Sequence, residues 1–277
     1  MAEVAAVFAA THSPLLFRRA DDVAPEVREK VFSAYERVGQ TLMERGVEAL
    51  VVFANDHLQA FFLDRYPALA VGVASRFRPV ASQDWLPDVE GGRKGDEELG
   101  LYLVGALRSS GFDPTLCHEL PLDHSVVVPL HRMGDPPIPI VPVLQNCFAP
   151  PVAPARRSYE LGLAVRRALE RYDKVGRVGI LGTGAPAHWV GTPEQGRVDE
   201  VWDKAAIDLL LEGRAERLSA WSQQEIDAGG DGANEIRNWI AAAAAAGNTR
   251  AELRVYQPEP IWFLGVTVLE WPVGPAA

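Results

Sequence analysis

The chain has 277 residues, 48% of them apolar and 23% charged, with a formal net charge of -10. That is enough chain for one large core or two small ones, and the composition is that of a folded globular protein. The basic pairs Arg18-Arg19, Arg156-Arg157 and Arg166-Arg167 are isolated, so the clustered positive face that a nucleic-acid partner requires is missing. No apolar run approaches the roughly 20 residues that span a bilayer. Met1-Ala2-Glu3 carries no positive flank of an export signal, which sets a cytoplasmic expectation. Cys117 and Cys147, the only cysteines, lack metal-site and CxxC spacing and are expected to be reduced thiols, a redox pair being the alternative.

Val4–Ala10 is an apolar run bounded by polar residues and predicts a buried strand. Pro25 marks a helix start, Val27, Val31, Tyr35, Val38 and Leu42 follow at helical spacing, and Gly46 stops the helix. Ala49–Ala54 is again strand-like. Strand, helix, strand at these lengths predicts a βαβ unit with two parallel strands. Ala68–Ala74 predicts a further strand, and 79–94, rich in Pro, Gly and Asp, a long surface loop. Asp96 caps an expected helix carrying Leu99, Tyr102, Leu103 and Ala106, closed by Gly111. Ile138–Leu144 is interrupted by Pro139 and Pro142 and is expected at a sheet edge or as an extended segment.

Ser158–Tyr172 is expected to be an amphipathic helix and Arg177–Leu181 a strand. Helices are expected over Glu200–Leu211 and about Ala233–Ala246, and a last strand over Val266–Glu270. The alanine run Ala241–Ala246 reads as helix filler. No internal repeat or linker divides the chain. The expected fold is a single α/β domain over residues 1–277, with a central mixed, mostly parallel sheet flanked by helices and a helical C-terminal third.

The histidines carry the functional signal. His12 follows the first strand by two residues, His57 follows the second by three, and His188 lies seven past Leu181. Ligands of α/β sheets bind outside the carboxyl ends of the strands, so parallel strands would bring all three to one edge. A lone histidine at a strand end is more commonly a hydrogen-bonded loop residue, but three at one edge is a stronger pattern. His118 and His131 lack this placement and are read as solvated or core-edge residues. Pro14 would stiffen the loop of His12, while Asn55 or Asp56 would orient His57 or merely shape its turn.

Glu235 lies in the expected first turn of a helix, where the macrodipole favours a carboxylate; a purely dipolar role is the competing reading. Two histidines and one carboxylate form the facial set of non-haem iron(II) oxygenases, although spacing alone does not choose it over a zinc site. Gly182-Thr183-Gly184-Ala185-Pro186-Ala187 matches a dinucleotide pattern on paper, but Pro186 stands where its helix would run. Ser13 and Ser125 lack the G-x-S-x-G elbow of a hydrolase nucleophile.

In Thr11-His12-Ser13-Pro14, Asn55-Asp56-His57, Leu122-Asp123-His124-Ser125 with Pro129, Gly182 to Trp189, and Glu235-Ile236-Arg237-Asn238-Trp239, the chain resembles the type II extradiol dioxygenases, of the protocatechuate 4,5-dioxygenase β-subunit kind. The resemblance implies Fe(II) held by His12, His57 and Glu235, His188 as the acid–base residue and His124 as a second catalytic histidine. It further implies a small catechol- or aminophenol-type substrate opened by dioxygen beside its two hydroxyls. Self-assembly or a complex with a small helical subunit is expected, and no nucleic-acid or membrane partner. Two departures stand out: Ala185-Pro186-Ala187 replaces a GTGG-x-S pattern before the acid–base histidine, and Ser125 replaces a glycine after His124. A zinc-dependent hydrolase and a non-catalytic subunit on the same scaffold are the alternatives. Trp85, Trp189, Trp239 and Trp262 are expected mostly in the core.

Overall fold

The apolar runs become strands in the computed structural model, which describes residues 1–273; the last four positions of the expected domain lie outside the described residues. The strands are β1 (Glu3–Thr11), β2 (Ala49–Ala54), β3 (Leu69–Gly72), β4 (Arg76–Phe77), β5 (Arg93–Lys94), β6 (Thr115–Cys117), β7 (Ile140–Gln145), β8 (Arg177–Gly184), β9 (Glu252–Glu259) and β10 (Leu264–Trp271). The helices are α1 (Leu15–Arg18), α2 (Pro25–Glu44), α3 (Glu97–Ser109), α4 (His124–Arg132), α5 (Ala155–Leu169), α6 (Glu200–Leu211), α7 (Ala215–Ser219), α8 (Gln223–Asp227) and α9 (Ile236–Ala245).

Eight strands form one sheet in the order β6-β3-β7-β2-β8-β1-β10-β9, and β4 and β5 pair apart from it. The middle strands β7, β2, β8 and β1 are mutually parallel. β3 and β10 run antiparallel to their neighbours β7 and β1. The expected βαβ pair is thus parallel but not adjacent, because β8 enters between β1 and β2.

Alternation along the strands feeds two cores. Val7 and Ala9 of β1 and Val51 and Phe53 of β2 face the core beneath α3, α5 and α9. Ala6, Phe8, Leu50 and Val52 face the other, beneath α2 and α4. A sheet buried on both faces needs continuous apolar strands, which is why these runs stood out. In α2, Pro25 takes the first-turn place, and Val31, Tyr35, Val38 and Leu42 form the buried stripe. Asp96 accepts from the Leu99 N–H as the expected cap of α3.

Three expectations change. β7 is an interior strand, not an edge, lying between β3 and β2. Pro142 is tolerated there because the β3 ladder ends at Val71 opposite Val143, one residue beyond the proline. The alanine run is more than filler. Ala241 to Ala246 are all buried, and α9 lies so close to β8 that a Cβ on Gly182 would stand 2.6 Å from the Asn238 carbonyl oxygen. Finally, the helical C-terminal third also contains β9, an edge strand whose charges and Pro258 hid its pattern.

Candidate metal centre and active site

Because β2, β8 and β1 are neighbouring parallel strands, the segments leaving their carboxyl ends meet. His12 follows β1, His57 follows β2, and β8 runs through Gly184 into the loop bearing His188. Glu235 comes from the turn that leads into α9. It closes a 3-10 turn, Asp231–Glu235, and caps α9, one step earlier than the expected first turn. Its carboxylate Oε1 lies 3.0 Å from His12 Nε2 and 2.9 Å from His57 Nε2. The other oxygen, Oε2, is buried without a hydrogen bond, and His188 Nε2 stands 3.8 Å from it.

The outer nitrogens determine what the inner ones offer. His57 Nδ1 donates to Asp123 at 2.8 Å, and the same carboxylate oxygen accepts from the His57 backbone N–H. The Thr183 hydroxyl donates to the Phe53 carbonyl and therefore accepts from His12 Nδ1, 3.2 Å away. Both inner Nε2 lone pairs thus point at a carboxylate at hydrogen-bond distance. The Asn55 amide nitrogen is a donor close to both His57 Nε2 and Glu235 Oε1, at 3.2 and 3.1 Å, and a convergence otherwise made of acceptors suits a cation among them, either a proton or a metal ion. Burial alone would lower the His57 imidazole, but Asp123 and Glu235 outweigh it and raise it to about 10. Burial works against the Glu235 carboxylate too, yet His12, His57 and His188 hold it well below the usual range. The donor set and the orphaned Oε2 fit a divalent ion bound by two imidazoles and a carboxylate.

A chain of amides holds Glu235 in place. Gln145 Nε2 donates to Asn238 Oδ1, Asn238 Nδ2 to Asn55 Oδ1, and Asn55 Nδ2 to Glu235 Oε1. Arg237 is buried without an acid partner and locks the turn through Ala153, Asn234 and Gln223. Asn55 therefore serves the site, whereas Asp56 shapes the turn by accepting from the Gln59, Ala60 and Phe61 N–H groups.

His124 opens α4, with its ring stacked on His57 at a centroid distance of 4.1 Å. His12, His57 and His124 form a group whose ligand atoms lie within 4.8 Å of one another. Gln83 distinguishes the third member. Its Oε1 accepts from the His124 backbone N–H, so its Nε2 must be the group facing His124 Nδ1 at 3.0 Å. Nδ1 is then an acceptor and the proton sits on Nε2, the reverse of His12 and His57. Burial, and then His57, push this imidazole down to about 3. His188 has the opposite tautomer, Nδ1 donating to the Pro186 carbonyl at 2.8 Å and leaving Nε2 free.

The residues that sequence reasoning passed over are the orienting ones: Asp123, Thr183, Gln83 and Asn238. Asp123 carried a readable signal, an aspartate before the apolar turn of a helix, but the run Val126-Val127-Val128-Pro129 masked α4. Ser125, which departs from the family pattern, donates from its hydroxyl to the Asn55 carbonyl at 2.6 Å and so ties His124's helix to the Asn55 loop. Of the remaining histidines, His131 pairs with Asp135 and His118 is exposed, both away from the site. Trp239 is core, whereas Trp189 and Trp262 line the cavity above the histidines. Both cysteines are free and buried.

The loop bearing His188 is anchored by Asp203 of α6, which accepts from the Ala187 N–H and from Tyr256, both at 2.8 Å. Burial raises this carboxyl to about 7, against 3.8 ordinarily. Folding therefore favours its protonated form; that stability is fully present below pH 4 or so and is lost as pH rises through about 7. Asp203→Asn is expected to flatten the decline of stability over this window. Urea unfolding at several pH values measures it, and an unchanged slope would refute the assignment.

An α/β sheet with two histidines and a carboxylate converging at its parallel carboxyl edge has the donor set of a metal-dependent enzyme. The model for the catalytic LigB subunit of aromatic ring-opening dioxygenases matches residues 6–266, and the chain belongs to this family of extradiol ring-cleaving enzymes. It is 29% identical to a 2,3-dihydroxyphenylpropionate/2,3-dihydroxicinnamic acid 1,2-dioxygenase of Xanthobacter autotrophicus, over 94% of this chain and 96% of that protein. The namesake of Photorhabdus laumondii is also 29% identical, over 94% of each. Among solved structures, the uncharacterized protein JW3007 from Escherichia coli K12 shares the fold, with a TM-score of 0.55 at 16% identity over 87% of this chain and 92% of that one. No helix among the described residues is long and apolar enough to cross a membrane.

Proposed function

We propose that the chain opens a catechol-type ring with dioxygen, using Fe(II) held by His12, His57 and Glu235. The observation that carries this reading is the convergence of the His12 and His57 Nε2 atoms on Glu235 Oε1 at 3.0 and 2.9 Å, with both outer nitrogens already committed. The relatives named for dihydroxyphenyl acids support an aromatic diol as substrate. Iron(II), when bound, supplies Lewis acidity toward the diol and a route for electrons between diol and dioxygen.

The chain's own residues then divide the proton work. His188, with Nδ1 committed to the Pro186 carbonyl, keeps Nε2 for taking one hydroxyl proton from the diol and returning it when the ring opens. His124, neutral and protonated at Nε2, donates a hydrogen bond to oxygen that gains negative charge. Glu235, His12 and Asn55 are themselves buried, which strengthens the electrostatic interactions among them.

His188 also depends on a glycine. A Cβ at Gly232 would stand 2.0 Å from His188 Nε2, so the turn leading to Glu235 passes flat against the imidazole. Gly232→Ala is expected to displace the ring and lower kcat by roughly a hundredfold, as small misplacements of catalytic groups do. Metal content should be unchanged; a wild-type kcat would refute the contact's importance.

The reading as a whole is tested by loading the protein anaerobically with Fe(II) or with Zn(II) and then admitting oxygen and a panel of catechols. A yellow ring-opened product with iron alone is expected. Hydrolytic activity with zinc and no oxygen uptake with iron would overturn it.

A further inference from the structure

The cavity over the histidines has a volume of about 370 Å³, and its wall has an unusual charge inventory. Glu235 is the sole Asp, Glu, Lys or Arg side chain among its described lining residues. Beyond the histidines the wall is largely apolar, with Leu15, Phe148, Trp189, Val190, Phe263 and Leu264 around the space a ring substituent would fill. Phe263 is held at φ 68°, a left-handed conformation that non-glycine residues rarely adopt, in the turn entering β10.

The neutral polar groups are almost all spoken for. Gln83 is bound to His124, and Gln59 donates to the His57 carbonyl while accepting from Ser82. Ser13 donates to the Trp262 carbonyl and accepts from the Leu15 N–H. Gln195 retains only its Nε2, its oxygen accepting from Gly191. The nearby Arg197 lies 4.6 Å over the Trp189 ring and is ion-paired with Asp199 at 2.6 Å.

We infer that the ring substituent this site accepts is uncharged and apolar, an alkyl or aryl group, rather than the carboxylate side chain named for the relatives. The inference rests on the catechol reading above. A carboxylate carried into the apolar part of this wall would lose water and meet no Lys or Arg side chain of the lining, whereas an alkyl or aryl group would bury apolar surface on both sides.

The test compares catechols bearing a 3-propyl and a 3-(2-carboxyethyl) group, matched in length and differing in charge. Their binding to the Fe(II)-loaded full chain is measured by calorimetry under argon, and ring opening is then followed after oxygen is admitted. The propyl compound is expected to bind at least about tenfold more tightly, since the site offers no partner for the buried charge. Val190→Arg and Phe148→Arg, both at exposed positions of the rim, should shift the ratio by about tenfold toward the carboxylate. Equal or tighter binding of the carboxylate compound by the unaltered protein would overturn the inference, while ring opening of either compound would leave the catechol reading intact. Preference for propyl without ring opening in air would overturn that reading and keep the pocket assignment. Failure of both compounds to bind at millimolar concentration would sink the two together.

Discussion

Glu235→Ala is expected to leave a folded protein that no longer retains iron, with ring opening reduced below detection. The two imidazoles would keep their outer partners, Asp123 for His57 and Thr183 for His12, so their rings remain in place while the sole anion of the set is lost. Two neutral nitrogens hold a divalent ion far more weakly than a set containing a carboxylate. Asp123→Asn provides the graded comparison. It spares every inner atom and loosens only the orientation and basicity of His57, which should weaken metal binding by roughly 10- to 100-fold rather than abolish it. Metal analysis after gel filtration, with circular dichroism as the check on folding, distinguishes the two. Full iron occupancy in Glu235→Ala would refute the ligand assignment.

His188→Phe should behave in the opposite way, keeping its iron and losing turnover. The phenyl ring fills a similar space against Gly232 and leaves the hydrogen bonds of His12, His57 and Glu235 in place, but it has no nitrogen to exchange a proton. General acid–base catalysis typically contributes about 10²–10⁴-fold, and a loss of that size in kcat with little change in anaerobic substrate binding is the expected result. A variant turning over near the normal rate would show that His188 packs the site without working in it. Together the two substitutions separate holding the metal from moving protons, which no single variant does.

Much of the scaffold was readable along the chain because the central strands are buried on both faces. Burial from two sides leaves no polar alternation, so β1 and β2 appear as bare apolar runs, and α2 appears as a stripe at helical spacing between them. Elements with weaker local signatures escaped. β9 is an edge strand with three charged residues and a proline among its eight, β6 has three residues, and prolines hid α4 and made β7 read as an edge or extended segment. In β7 the end of the neighbouring ladder excuses the proline, and that depends on a strand about 70 residues earlier.

By itself the sequence determined the identity and order of the chemical groups: a histidine after each of two strands, another beyond the third, a glutamate at a helix start, and a family resemblance that tied them to one reaction. The tertiary structure alone decided how those groups act. Insertion of β8 between β1 and β2 closes His12, His57 and His188 around one point, and α9 brings Glu235 there from 47 residues beyond His188. Which ring nitrogen carries the proton follows from Asp123, Thr183, Gln83 and Pro186, whose distance along the chain bears no relation to their nearness in space. Spacing encodes which face a residue occupies, whereas a tautomer is set by whatever hydrogen-bond partner lies across that face, and only packing supplies the partner.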